Sequence, residues 1–312
     1  MGQGLDSLGR PAHDRQMFTE AQDSSPVTGA DGDGPVEVDL GADHPGVADP
    51  AYRTRRNAIA ALAVGHRRGD PVPHADYSPE EHAVWTLVSR ELAAQHATYA
   101  VREYRDAVQS VALPTDHIPQ LDEVSARVEP LTGFGYEPVA GLATLREFYG
   151  AMAAGIFLST QYIRHHSVPL YTPEPDVVHE VIGHAHTLAD PGLASVYRAA
   201  GAAAQRVQTD EALEFLSKVF WFSLEFGVAW EAGELRTYGA GLLSSYGEIQ
   251  EFRAADVRPL DLAAMGTQSY DITHYQPVLF AGRSLSHVVD VVGGFFEAVD
   301  DETPARLLAR AA

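Results

Sequence analysis

Sixteen residues concentrate the chemistry of this chain. The stretch Tyr171-Thr-Pro-Glu-Pro-Asp-Val-Val-His179-Glu-Val-Ile-Gly-His184-Ala-His186 holds three histidines and three carboxylates (Glu174, Asp176 and Glu180) around an apolar run. Neutral imidazole combined with carboxylate suits a borderline divalent cation such as iron, zinc or manganese. On a regular α-helix turning roughly 100° per residue, His179 and His184 lie about 140° apart, whereas His179 and His186 fall nearly in line. Regular geometry therefore favours the 179/186 pair, and the 179/184 pair needs a helix that distorts or ends near Gly183. The zinc-protease arrangement, two histidines at i and i+4 flanking a glutamate, is absent because position 183 is glycine. A third ligand must come from elsewhere. Phe220-Trp-Phe-Ser-Leu-Glu225-Phe-Gly sets one carboxylate in an aromatic helix, where an unpaired charge is costly and a cation is a natural partner. Two histidines and one glutamate with open positions form the facial triad of non-haem Fe(II) oxygenases.

The other histidines read differently. His82, His96, His117, His274 and His287 read as surface or hydrogen-bonding residues, and the adjacent His165 and His166 are expected to point in different directions. There is no cysteine, which excludes disulfides, thiolate metal sites and a cysteine nucleophile and fits a cytoplasmic protein. The formal charge of −21 repels phosphate backbones, so nucleic acid is not expected as a partner. No run of about 18 apolar residues spans a membrane, and no secretory signal opens the chain.

The elements that must position these residues are mostly helical. Residues 1–36 are polar, rich in Gly, Asp and Ser, and read as a disordered leader; a catalytic domain is expected over 37–300 and a short tail over 301–312. Ser78-Pro79-Glu80-Glu81 marks a helix start, with Ser as cap and Pro in the first turn. That helix is expected to run to about Val108. Further helices are expected over 51–66, 120–128, 144–158, 175–186, 191–207, 210–233 and 283–299, with a turn-rich segment over 238–247 and only a few short peripheral strands. The fold class is mainly α, with the metal site among helices. Without a heptad run to drive a coiled coil, a monomer or weak dimer is expected.

Several motifs, in order, resemble the catalytic domain of the pterin-dependent aromatic amino acid hydroxylases. They are Thr160-Gln-Tyr-Ile-Arg-His165, Tyr171-Thr-Pro-Glu-Pro-Asp176, His179-Glu-x-x-Gly-His184, Trp221-Phe-x-x-Glu225-Phe-Gly, and Tyr238-Gly-Ala-Gly-Leu-Leu-Ser-Ser-x-Gly-Glu248. The similarity extends from about Asp43-His-Pro-Gly to Tyr275-Gln-Pro277. It implies a single helical domain of that type, non-haem Fe(II), a tetrahydropterin and O2 as co-substrate. It also settles the histidine question against regular helix geometry, since His179, His184 and Glu225 match the iron ligands and His186 does not. Arg164 matches the arginine that holds the substrate carboxylate, a task its planar fork suits, and Asp176 matches the acid that orients it. Thr172, Pro173, Trp221, Phe226, Ser244 and Ile272 match positions lining the amino acid pocket. The pterin side maps onto Gly141, Leu142 and Ala143 in the loop Val139–Ala143, onto Phe148 as a stacking face, and onto Glu180. Glu180 and Trp221 are thereby the candidate catalytic residues. Two departures stand out: Leu158 replaces a histidine common in animal members, and Phe220 replaces a tyrosine before the tryptophan.

The resemblance implies hydroxylation of an aromatic L-amino acid. Trp221 resembles the phenylalanine and tyrosine enzymes, whereas Ile272 resembles the tryptophan enzymes. Phenylalanine to tyrosine is the favoured reading; meta-hydroxylation of phenylalanine, tyrosine 3-hydroxylation and tryptophan 5-hydroxylation are the alternatives. The rivals from other classes are a zinc hydrolase using the same trio with Glu180 as base, and a non-catalytic binding protein.

Overall fold

Polar caps punctuate the chain into helices. Asp49 accepts from the backbone N–H groups of Ala51 and Tyr52, Ser78 and Glu81 form a reciprocal capping box, and Thr144 and Glu147 form another. In chain order the α-helices are α1 (Pro50–Ala63), α2 (Pro79–Tyr99), α3 (Arg102–Val111), α4 (Leu121–Thr132), α5 (Leu145–Ala153), α6 (His184–Leu188), α7 (Pro191–Arg206), α8 (Asp210–Phe220), α9 (Ala240–Ser244), α10 (Glu248–Glu251), α11 (Leu262–Thr267), α12 (Leu285–Ala298) and α13 (Thr303–Ala311). Two π-helical turns, Val178–Gly183 and Trp221–Glu225, interrupt them. This computed structural model describes residues 27–28, 35–42, 44–141, 144–272 and 274–311.

Strands are short. They are β1 (Val27–Thr28), β2 (Glu37–Val38), β3 (Gly135–Pro138), β4 (Ile156–Ser159), β5 (Val228–Glu231), β6 (Glu234–Thr237), β7 (Asp256–Pro259) and β8 (Val278–Gly282). The largest sheet has the order β6-β5-β8-β7, with β5/β6 antiparallel and the other two pairs parallel. β3 and β4 pair in parallel. Within the expected 1–36 leader, Val27–Thr28 pairs with Glu37–Val38, while residues 1–26 and 29–34 lie outside the described residues.

Three expected helices end early because a tertiary partner competes for the backbone. The helix expected to reach Val108 breaks at Ala100–Val101, where Val101 N–H donates to Thr237 O at 3.0 Å. The helix expected over 144–158 stops at Ala153, and the next residues become β4, whose Leu158 faces Glu137 of β3. The helix expected over 210–233 passes into the second π-turn and then into β5. The expected tail carries α13, which packs on α8 and α11.

The core gathers where α5, α7 and α12 pack together. Gly201 of α7 makes the first of these contacts possible. A Cβ there would stand 2.4 Å from Tyr149 O and Ala153 N of α5, so only glycine lets the two backbones approach. No described helix is long and apolar enough to cross a membrane.

His96 of α2 is buried, with Nε2 2.6 Å from Leu243 O and its ring edge-on to Tyr104. Burial pushes its pKa down from 6.5 to about 4, so the imidazole stays neutral and its Nε2–H donates to Leu243 O. An unfolded chain takes up a proton here below about pH 6.5, and the folded chain refuses it until about pH 4. Stability is therefore unaffected above that window and falls as pH drops through it. At 1.36 kcal/mol per unit the loss from this group is on the order of 3 kcal/mol. Thermal unfolding across pH 7 to 4 is expected to show a shallower fall for His96→Gln than for the native chain; parallel curves would remove His96 as the cause.

Candidate metal centre and substrate pocket

The first π-turn decides which histidines meet. Its i→i+5 hydrogen bonding stacks residues five apart, where an α-helix would splay them. His179 and His184 accordingly lie with Nε2 atoms 3.2 Å apart and rings at 86°. The helix thus distorts at Gly183 as the 179/184 pair requires. Gly183 is also where α9 crosses, since a Cβ there would meet Ala240 O at 2.8 Å. Burial of Val181 and Ile182 holds the turn, at roughly 1.5–3 kcal/mol for each such side chain.

Glu225 is the last residue of the second π-turn. Its Oε2 lies 3.8 Å from His179 Nε2 and 3.6 Å from His184 Nε2, and all three side chains are buried. Ligand bonds of roughly 2.0–2.2 Å at right angles require donors about 3 Å apart, so the trio is close to the spacing of a shared cation. The remaining imidazole nitrogens are already committed. Ser244 Oγ donates to Ala240 O at 2.8 Å, so it must accept from His179 Nδ1–H, also at 2.8 Å. That assignment leaves the Nε2 lone pair facing Glu225. His184 Nδ1 lies 3.0 Å from the Tyr197 hydroxyl. Outer hydrogen bonds of this kind set imidazole tautomer and direction in metal sites. The donor set and its supports therefore fit a divalent iron. His186 is excluded from the group: its Nδ1 points back to Ile182 O at 3.1 Å, and its ring meets Tyr104 edge-on.

A second trio, Asp49, His165 and His166, has a different character. The two rings are 4.2 Å apart, because a turn with Val168 N–H on His165 O folds them together rather than sending them in different directions. Ser167 N–H donates to His165 Nδ1, which leaves the proton on Nε2 facing Asp49 Oδ2 at 3.3 Å. Asp49 and His165 are thus a hydrogen-bonded pair, with the His165 Nδ1 lone pair spent inside the turn.

Arg164 and Asp176 form a buried fork. Arg164 Nε and Nη2 donate to Asp176 Oδ2 and Oδ1 at 2.9 and 2.8 Å, and Arg164 N–H adds a third bond at 2.7 Å. Burial raises the Asp176 pKa, but the guanidinium charge and these bonds outweigh it and hold the carboxyl below its ordinary range. His179 N–H also reaches Asp176 Oδ1, at 3.4 Å, which links the fork to the π-turn. The preceding loop is pinned to α1 by Glu174, whose Oε1 takes Arg56 Nη2 at 2.6 Å and His44 Nε2 at 3.2 Å. Thr172 Oγ1 donates to Glu174 O, and Pro173 is exposed at the loop's outer turn.

An aromatic wall adjoins the trio. Trp221 stacks on Tyr270 with centroids 4.2 Å apart and meets Phe226 at a 35° tilt with centroids 4.6 Å apart. Ile272 packs half-buried against the same core. Glu180 is buried with Thr160 Oγ1 donating to Oε1 at 3.2 Å. Gly141 borders a cleft of about 760 Å³ that Val139, Ala140, Leu158, His66 and Arg146 also line. Leu142 and Ala143 lie outside the described residues. Phe148 does not border that cleft. It sits on α5, edge-on to Tyr149, Phe157 and Phe220, and is buried. Tyr197, Tyr270 and Gln276 were not singled out from sequence, since nothing in their spacing marks them; Gln276 stood only at the end of the similar region.

Comparison with known proteins follows the same motifs. The family profile described as biopterin-dependent aromatic amino acid hydroxylase matches residues 34–305. A phenylalanine 3-hydroxylase of Streptomyces coeruleorubidus is 46% identical over 265 residues, which cover 85% of this chain and 95% of that protein. The phenylalanine-4-hydroxylase of Rattus norvegicus is 40% identical over 83% of this chain, which spans 58% of the rat protein. Among solved structures, Chromobacterium violaceum phenylalanine hydroxylase with bound oxidised Fe(III) superimposes with a TM-score of 0.73 at 26% identity, covering 83% of this chain and 93% of that one.

Proposed function

We propose that this chain, which belongs to the biopterin-dependent aromatic amino acid hydroxylase family, hydroxylates the ring of L-phenylalanine. The observation that carries the reading is the buried trio of two imidazoles and one carboxylate, whose Glu225 shares a π-turn with Trp221 and whose His179 is tied by its backbone N–H to the Asp176–Arg164 fork. When bound, Fe(II) and a tetrahydropterin supply the activation of O2 that closed-shell side chains cannot.

The residues contribute binding and orientation. His179, His184 and Glu225 would hold the iron, which would supply the site for O2 chemistry. Arg164 turns the edge of its fork away from Asp176 to the amino acid carboxylate, and Asp176 fixes that direction. Trp221, Phe226 and Ile272 wall the aromatic ring and keep water from it, while Thr172, Pro173 and Ser244 complete the pocket. Glu180 and the loop at Gly141 face the pterin. Phe148 serves that side as a core support for α5, given its buried ring.

The ring carbon attacked is read as meta. Support comes from the relative named as a phenylalanine 3-hydroxylase, 46% identical over nearly its whole length. The para reading, phenylalanine to tyrosine, is supported by the rat 4-hydroxylase at 40% identity. Chromatography of products from phenylalanine with Fe(II), tetrahydropterin and O2 decides between them. The expected product is mainly meta-tyrosine. Para-tyrosine as the main product overturns the ring position and keeps the substrate, and no hydroxylated phenylalanine beside turnover of tyrosine or tryptophan overturns the substrate.

A further inference from the structure

Gln276 joins parts of the pocket that the sequence keeps 55 residues apart. Its side-chain Oε1 accepts from Trp221 Nε1–H at 3.2 Å. Its Nε2 donates to Asp271 O at 2.9 Å and to His274 O at 3.2 Å. Its backbone N–H donates to Glu248 Oε1 at 2.7 Å, and the residue is buried. An indole N–H can only donate, so the amide atom facing it must be oxygen; the NH2 then faces two carbonyls, which can only accept. The orientation is forced from both ends, and each polar atom of the side chain is used.

We infer that Gln276 is a specificity-determining positioning residue, which locks the Trp221 indole to the 271–274 loop so that indole and Ile272 act as one rigid wall of the amino acid pocket. The inference rests on the reading of Trp221 as a pocket wall. Trp221 is already stacked on Tyr270 and meets Phe226 at a tilt, and stacking alone lets a ring slide in its own plane. Among the described residues, the hydrogen bond on the edge of the indole is its N–H bond to Gln276. The loop side depends on the same amide, because Gln276 ties two of its carbonyls. Glu248, from α10, anchors the whole by holding the Gln276 backbone, so the clamp is referred to the helix that follows α9 and Ser244. Gln276 touches no reacting atom and acts through Trp221 and the loop.

The test is a double-mutant cycle on the iron-loaded full chain, with Gln276→Met, Trp221→Phe and the double variant. Each is checked for iron content and thermal midpoint. Methionine keeps the length and volume of glutamine and removes all its side-chain hydrogen bonds. Gln276→Met is expected to raise KM for phenylalanine roughly 3- to 10-fold, the scale of one lost neutral hydrogen bond. It should also lower the preference for phenylalanine over tryptophan by a similar factor, with kcat changed less than twofold and iron retained. In the Trp221→Phe background the same replacement should have a clearly smaller effect, because the indole donor is already gone and only the carbonyls of Asp271 and His274 lose their partner. Equal effects in both backgrounds would overturn the clamp, since Gln276 would then act through the loop alone. Unchanged KM and preference in folded Gln276→Met would also overturn it; if Trp221→Phe shifts preference in that case, the pocket reading stands without the clamp, and if it shifts nothing, the pocket reading falls too.

Discussion

Glu225→Ala is expected to lose iron. The native trio offers two neutral imidazoles and one charge, with Nε2 and Oε2 atoms 3.2–3.8 Å apart. Removing the carboxylate removes the only negative ligand and leaves two imidazoles that bind a hard-to-borderline cation weakly. Loss of an outer hydrogen bond in such sites lowers affinity or activity by about 10- to 100-fold, and loss of a direct ligand must exceed that range. Ser244→Ala supplies the internal comparison, because it keeps all three ligands and deletes the acceptor of His179 Nδ1–H together with its bond to Ala240 O. The ordering expected for iron retained after dialysis, measured by plasma mass spectrometry, is native, then Ser244→Ala, then Glu225→Ala near zero. Thermal unfolding gives a second measure. A ligand at 100 times its Kd stabilises the fold by about 2.7 kcal/mol, and this gain on adding Fe(II) should vanish in Glu225→Ala. His186→Ala should keep both iron and the gain. Iron lost from His186→Ala but kept in His184→Ala would reverse the ligand assignment.

The second large effect is at the buried fork. Asp176→Ala leaves Arg164, itself buried, without its partner, and breaking a buried pair in this way costs about 3–5 kcal/mol. The variant is expected to unfold at a much lower temperature. Asp176→Asn separates the functional effect from the structural one. It keeps the side-chain shape but can no longer accept charge-assisted bonds from both Nε and Nη2. Bonds to charged groups contribute about 1.5–3 kcal/mol, so a guanidinium released from its direction should raise KM for the amino acid by about 10- to 100-fold. Iron content should stay at the native level, since Asp176 touches the trio only through the His179 backbone. Steady-state kinetics over phenylalanine concentration read this directly. A KM within twofold of native in folded Asp176→Asn would sever Asp176 from substrate placement.

How much of this was legible follows from the kind of interaction involved. Caps are local, and Ser78 with Glu81 marked its helix start correctly. Helix ends were harder where a distant strand competed. Ala100 gives no sign that Thr237 will pair beside it, and the break between α2 and α3 exists only because β6 lies there. Phe148 was assigned through similarity, and on α5 its ring meets Phe157 and Phe220 edge-on, contacts that no local spacing marks. His165 and His166 were expected to diverge because alternation assumes extended backbone, and a turn at Ser167 folded them together.

The stretch from Tyr171 to His186 carries the same division. Residue types alone pointed to a histidine–carboxylate metal site and excluded a thiolate from it. These are matters of composition and donor chemistry, which no fold can alter. Which histidine joins His179 was decided by tertiary structure. An isolated segment gains nothing from a π-turn, and regular spacing would pair His179 with His186. Here Val181 and Ile182 are buried, α9 presses on Gly183, Ser244 holds one imidazole and Tyr197 the other, and Glu225 arrives from a second π-turn. Those contacts come from residues up to 65 positions away, and only in the folded chain do they make the irregular turn the stable one.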